Sequence, residues 1–348
     1  MKKESIRHLL QVATCIFCTA IAALSATAEE PVSLKVMETG FIYANEPYPS
    51  AHASTIVDTG NGVLAAWFGG SYERHPDVCI YGAFYRNGKW DKPFRIADGV
   101  EHELLRNPCW NPVLFKRDNG DIILYYKIGP SPSKWCGVYK ISQDGGMTWS
   151  DEKRIPDNLL GPIKNKAIRM ADGKILYPTS IEDDLGWRVY MEYSNQDLSG
   201  WEKTEIDNNG FDAIQPTVLF HSDGRLQLLC RSKNRKIVES WSSDNGKTWS
   251  KLEATVLPNN NSGIDAVTLA DGATHLLVYN PLTEGRNKLS VAVSTDGTNW
   301  RDMLTLEDAP RGEFSYPAII QGVNGDIYVT YTYNRETVKF AVISVNGL

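Results

Sequence analysis

Arg231 and Arg286 carry planar guanidinium forks that match a carboxylate, and Tyr316, His52 and Asp77 carry groups able to attack, accept or donate a proton. Lys127, Lys164 and Lys166 add positive charge. Asn111, Gln215 and Asp265 add hydrogen-bonding capacity. The whole chain has a formal net charge of −6, so cations gathered in one concave place point to an anionic ligand. A phenol such as Tyr316 ionises near pH ~10 and needs a base to serve as a nucleophile. His52 titrates near neutrality and is the first choice for that base, with Asp265 and Glu182 behind it. Each assignment has a plainer counterpart. The lysines and arginines would pair with Asp265 or Glu182 and plug a channel, and His52 would be a hydrogen-bonded strand end. These residues lie far apart in the chain, so only a fold that returns repeatedly to one place assembles them.

A recurring hairpin predicts such a fold. Six segments have an apolar strand, a tight glycine turn and a second apolar strand: ASTIVDTGNGVLAAWF (53–68), PVLFKRDNGDIILYYK (112–127), AIRMADGKILYPTS (167–180), PTVLFHSDGRLQLLCR (216–231), DAVTLADGATHLLVYN (265–280) and PAIIQGVNGDIYVTYTY (317–333). Their turn glycines, Gly62, Gly120, Gly173, Gly224, Gly272 and Gly325, recur at intervals of 48 to 58 residues. That period predicts an all-β, six-bladed β-propeller with one hairpin per blade. With the first strand of each hairpin innermost, His52, Trp110 with Asn111, Lys164 with Lys166, Gln215, Asp265 and Tyr316 converge at one end of the axis. The second strands return to the same face with the loop to Asp77, then Lys127, Glu182, Arg231, the loop to Arg286, and Arg335. The glycine-rich loop WFGGSYERHPD (67–77) carries charge at this face, where loops on a rigid scaffold concentrate function. His75 within it reads as a solvated residue or a ligand contact.

A second repeat runs out of phase with the first. SQDGGMTWS (142–150) and SSDNGKTWS (242–250) share Ser-x-Asp-x-Gly-x-Thr-Trp. STDGTNW (294–300) is a shortened copy, and YRNGKW (85–90) and NQDLSGW (195–201) are degraded ones. Asp and Gly make the turn between strands and Trp fills the space between sheets, so these aspartates read as structural.

The chain has 348 residues, of which 1–28 read as a secretory signal peptide: a basic MKKESIRHLL, an apolar LQVATCIFCTAIAAL and an Ala-x-Ala-type cut after Ala28. The rest, 29–348, reads as a single propeller domain that is secreted or periplasmic, with no second apolar run to span a membrane. Loss of Lys2, Lys3, Arg7 and Glu4 with the leader makes the remainder more acidic, which argues against a nucleic-acid partner. Cys79, Cys109, Cys136 and Cys230 remain. Cys109 and Cys136 fall in one blade and either pair or stay as buried thiols. No Cys or His cluster has metal-ligand spacing, and no cofactor is expected.

With these motifs the chain resembles the sialidase (neuraminidase) superfamily of Asp-box propellers over nearly all of its mature length. The resemblance implies a six-bladed propeller whose site holds a sialic acid carboxylate with three arginines. It also implies a Tyr nucleophile activated by Glu, and an Asp acid/base on a mobile loop. Tyr316, in EFSYP, looks like the nucleophile; Arg231, ending LQLLCR, like the second arginine; Arg286 like the third; and Asp77 like the acid/base. Two positions depart. His52 stands where the family starts its first inner strand with arginine, and Gln215 stands where it has the activating glutamate, sixteen residues before Arg231. Gln cannot accept a proton, so His52 would have to serve as base or the reaction would differ.

Three functions fit these residues. In an exo-acting glycoside hydrolase on a terminal acidic sugar, Arg231 and Arg286 bind the carboxylate, Tyr316 attacks and Asp77 protonates the leaving oxygen. In a polysaccharide lyase on uronic-acid glycans, the cations neutralise the carboxylate while His52 and Tyr316 move the protons. A non-catalytic propeller would bind an acidic glycan without turnover.

Overall fold

The computed structural model describes residues 32–46 and 48–347. The signal-peptide reading, with Cys15 and Cys18, lies outside them. Among the described residues there is no helix: six antiparallel blade sheets follow one another around an axis, with a small two-stranded sheet, Val100–His102 and Leu105–Arg106, between the first two. Blade 1 is built from Ser50–Asp58, Val63–Gly70 and Cys79–Arg86, with Lys89–Trp90 and Phe94–Ala97 at its edge. Blade 2 is Cys109–Lys116, Ile122–Ile128, Cys136–Ser142 and Lys153–Arg154, and blade 3 is Ile168–Arg169, Ile175–Asp183, Gly186–Ser194 and Glu202–Glu205. Blade 4 is Ala213–Phe220, Leu226–Ser232, Lys236–Ser242 and Glu253–Pro258, and blade 5 is Asp265–Thr268, His275–Tyr279, Lys288–Ser294 and Arg301–Asp308.

Blade 6 joins the two ends of the chain. Phe314–Gln321, Ile327–Tyr333 and Thr337–Asn346 receive Ser33–Phe41 as the outer strand, from Ser33 opposite Asn346 to Phe41 opposite Lys339. Leu34 and Val36 seat that strand on the apolar core shared with blade 5. Such closure leaves no open sheet edge at the seam.

The core is divided into interblade layers. Blades 1 and 2 share one around Leu64, Phe84, Leu114 and Leu124; blades 3 and 4 share another around Leu176, Met191, Leu228 and Val238. The tryptophans of the second repeat plug them: Trp149 and Trp249 in those two layers, Trp300 between blades 4 and 5, and the degraded copies' Trp201 and Trp90 in two more. Asp144 receives the backbone N–H of Thr148 at 2.9 Å, and Trp149 Nε1 donates to the Gly146 carbonyl at 3.1 Å; Asp244 and Trp249 repeat both contacts. The hydroxyls and amides of Thr148 and Thr248 hold both carboxyls down at about 2, as expected for structural turns. The six hairpin glycines all have positive φ, from 70° at Gly272 to 126° at Gly62, a conformation that disfavours any side chain. Cys79, Cys109, Cys136 and Cys230 are all free thiols, so the Cys109–Cys136 pairing is not formed.

Candidate active site

Four blades break their inner ladder at the same level. The pairing slips between His52 and Thr55, between Trp110 and Val113, between Ile214 and Thr217, and between Ser315 and Ala318. At each bulge one non-glycine residue is left-handed: Ala53 (φ 54°), Asn111 (36°), Gln215 (57°) and Tyr316 (52°). Such a conformation costs about 1–3 kcal/mol for a residue like Tyr and is held only by its surroundings. Those surroundings include hydroxyls of the preceding blade: Gln215 N donates to Ser180 Oγ at 3.1 Å, and Ala53 N to Thr332 Oγ1 at 3.2 Å. Bulges re-aim side chains, and here they gather Gln215 and Tyr316 at the axis.

Tyr316 is the centre of the cluster. Its Oη accepts from Arg231 Nη1 at 2.6 Å and from Gln215 Nε2 at 3.4 Å. The guanidinium carbons of Arg231 and Arg286 lie 5.5 and 5.9 Å from its ring centre. Arg231 is 4% exposed, and all three of its nitrogens are engaged: Nη1 with Tyr316 and Gln215 Oε1, Nη2 and Nε with Asn261. Arg231, expected to grip a ligand directly, here gives its N–H groups to Tyr316, Gln215 and Asn261. It lies behind Tyr316, fastened by Asn261.

Arg286 and Arg335 are half-buried, with part of each guanidinium side chain still accessible. Glu313 joins them, accepting from Arg286 Nη1 and from Arg335 Nε, each at 2.9 Å. Burial pushes the Glu313 carboxyl up, but the two guanidiniums outweigh it and hold the group below its usual value. Arg335 Nη1 also bonds Glu73. Neither Arg335 Nη2 nor Arg286 Nε has a partner among the described residues, which leaves N–H groups for an anion. Arg335 terminates the last hairpin, so position alone marked it. Glu313, Asn261 and Glu73 had no distinguishing sequence signal beyond their turn-rich surroundings.

His52 is 2% exposed and packs on Tyr316, ring centres 4.1 Å apart and planes tilted by 47°. Neither ring nitrogen has a hydrogen-bond partner among the described residues. Burial first, then the charges of Arg335, Arg286, Arg231 and Lys164, hold its pKa well below the ordinary value and keep the imidazole neutral. It makes no bond to Tyr316 Oη, so the geometry does not make it the phenol's base.

The loop between the strands Val63–Gly70 and Cys79–Arg86 of blade 1 reaches the cluster through Glu73, not Asp77. Asp77 turns back on its own loop, receiving Ser71 Oγ at 2.6 Å and lying 2.8 Å from His75 Nδ1. It lines a separate depression with Tyr48, Arg95 and Arg106. Burial raises its pKa, but Ser71 and His75 outweigh that and hold it below the usual carboxyl range, the wrong direction for a proton donor.

The lysines are interior fasteners. Lys127 is fully buried and donates to the Pro162 carbonyl at 2.8 Å; Asn111 is 6% exposed at its bulge. Lys164 Nζ donates to Asn165 Oδ1 (2.8 Å), Ile264 O (2.9 Å) and Pro317 O, stitching blades 3, 5 and 6. Lys166 pairs with Asp265 at 2.7 Å, and Asp265 also receives Thr217 Oγ1 and the Ile319 N–H. Lys127, Lys164, Lys166 and Asp265, expected at the ligand, spend these hydrogen bonds on the ring itself.

A family model described as a BNR repeat-like domain matches residues 61–329. Among curated protein sequences none matches. A protein of unknown function from Dyadobacter fermentans has a similar structure, with a TM-score of 0.76 at 15% identity over 90% of this chain and 100% of that one. The intramolecular trans-sialidase of Ruminococcus gnavus gives 0.70 at 14% identity over 90% and 98%. Trypanosoma rangeli sialidase gives 0.69 at 16% identity over 85% of this chain and 55% of that one.

Proposed function

The chain belongs to the BNR repeat-like domain family and has the sialidase fold, and from that premise we propose that it is an exo-acting glycoside hydrolase on a terminal acidic sugar. The observation that carries this reading is the part-exposed pair Arg286 and Arg335, joined through Glu313, with the Arg286 guanidinium carbon 5.9 Å from the Tyr316 ring centre. Guanidinium N–H groups left unused there suit a sugar carboxylate. Tyr316 would meet the anomeric carbon, with the Arg231 charge stabilising negative charge on its oxygen. Sialic acid is the first choice of sugar, by likeness to the sialidases, and a uronic acid presents the same carboxylate. Residues 1–28 fit a leader removed on export, which N-terminal sequencing of protein recovered outside the cytoplasm would test.

Elimination on a uronic-acid glycan is the second reading, and His52 favours it. A neutral, unpartnered imidazole beside Tyr316 is suited to taking a proton. The purified protein is to be incubated with sialylated and uronic-acid oligosaccharides and the products weighed. Products that gain one water support hydrolysis. An unsaturated sugar, lighter by that water, replaces it with the lyase. Binding without turnover, unaffected by Tyr316→Phe, removes both.

A further inference from the structure

Ser180 and Glu182 lie on one face of the strand Ile175–Asp183, because side chains alternate along a strand. Ser180 Oγ receives the Gln215 N–H at 3.1 Å, so that face looks onto blade 4 at the level of Tyr316. Glu182 is one step nearer the mouth. It stands opposite Trp187 in the ladder, and the Trp187 ring lies 5.4 Å from the Arg231 guanidinium carbon and 4.1 Å from Lys233 Nζ. Glu182 is half-buried and makes no hydrogen bond or ion pair among the described residues. The other carboxyls around the cluster are committed: Glu313 to Arg286 and Arg335, Glu73 to Arg335, Asp265 to Lys166, Asp77 to Ser71 and His75. The next residue, Asp183, is held by Arg188 at 2.7 Å.

We propose that Glu182 is the acid/base of this site, a role that rests on the hydrolase reading above. Its carboxyl gives a proton to the glycosidic oxygen as the anomeric C–O bond breaks and the bonding pair goes to that oxygen. The resulting carboxylate takes a proton from water as the water oxygen bonds the anomeric carbon, so one water is consumed and Glu182 ends protonated. The charged groups facing it are Arg231 and Lys233 from blade 4 and Glu73 and Arg74 from the loop between the second and third strands of blade 1. Burial pushes its carboxyl up, aided by Glu73, and Arg231, Lys233 and Arg74 only partly offset this. The protonated form therefore persists to higher pH than for an ordinary glutamate, and activity should fall as pH rises through that raised value.

The test compares E182Q with the parent on two acidic glycosides that differ in leaving group. On a disaccharide, whose leaving oxygen needs a proton, kcat/KM should fall about 10²–10⁴-fold. On the matching 4-nitrophenyl glycoside, which departs unaided, the fall should stay under about tenfold, and the alkaline limb of the pH profile should disappear. Equal losses on both substrates, or none, overturn the proposal. So does the selective loss appearing in D77N instead. A readout without turnover is proton uptake on binding free N-acetylneuraminate or glucuronate, followed by calorimetry in two buffers. The parent should take up a fraction of a proton that E182Q does not; identical uptake overturns the assignment. If the parent itself yields only unsaturated products, or binds neither sugar, the hydrolase reading fails, whatever E182Q does.

Discussion

Arg231 Nη1 donates to Tyr316 Oη at 2.6 Å while Nη2 and Nε of the same guanidinium are fastened to Asn261. The pair spans the axis, from the end of the second strand of blade 4 to the bulge that opens blade 6. An arginine so enclosed acts on the tyrosine, whereas Arg335 keeps an unused Nη2 at the mouth.

The two arginines should therefore fail differently. Arg231→Ala removes a charge-assisted hydrogen bond worth about 1.5–3 kcal/mol, so kcat should fall about 10–150-fold with KM little changed. Arg335→Ala should chiefly raise KM for an acidic substrate. Steady-state kinetics on one acidic glycoside, with circular dichroism to verify the fold, checks both. A large KM change in the Arg231 variant alone would mean that Arg231 leaves Asn261 to hold the ligand.

Gln215 gives Tyr316 a donor where a base would be useful. In Gln215→Glu the carboxylate would keep the bond from Arg231 and could accept the phenol proton across the 3.4 Å contact. For a hydrolase that works through Tyr316, kcat should rise about tenfold or more. A fall would show that the reaction needs the phenol proton in place, as elimination with Tyr316 as the donor does. The measurement is kcat on whichever acidic glycan the parent turns over.

The blades could be read from the sequence because hairpin glycines and alternating strands are local patterns, and the Asp-box tryptophans sit where the repeat puts them. The level of the site was also legible, since each inner strand becomes polar at its first residues. Direction was not. Bulges at Ala53, Asn111, Gln215 and Tyr316 shift the parity of four strands, so position along a strand no longer says which way a side chain points. Lys127 shares the level of Arg231, yet it runs between blades to the Pro162 carbonyl. Glu73 and Asp77 share a loop, and only its path in space gives Arg335 to the one and Ser71 to the other.

His52 should report its burial through pH. Its folded pKa lies well below the ordinary 6.5, so the unfolded chain binds the extra proton first. Stability contributed by the neutral ring is complete above about pH 6.5 and is lost as pH falls below it. His52→Phe keeps an aromatic ring against Tyr316 and removes two unpartnered nitrogens, each costing about 1–3 kcal/mol. Its melting midpoint should match or exceed the parent's at pH 7, with a larger advantage at pH 5. A variant several degrees less stable at both would show that a ring nitrogen has a partner after all, such as an enclosed water.

Lys164 presents the same linkage at higher pH. Three carbonyl oxygens match the three N–H groups of an ammonium, but burial dominates and pulls the pKa from 10.5 to about 7. The nearby charge of Asp265 raises it, and Lys166 and Arg231 lower it. Between pH 7 and 10.5 the unfolded chain binds more protons at this position than the folded one, so this group makes the parent more stable as pH rises across that window. Lys164→Met should lose that rise. It should also be less stable throughout, because the carbonyls of Ile264 and Pro317 lose their donor and the stitch between blades 3, 5 and 6 is cut. Urea midpoints at pH 7 and pH 9.5 decide it: the gap between parent and variant should widen toward pH 9.5. A constant gap would mean that the lysine stays charged in the fold, with its three acceptors outweighing its burial.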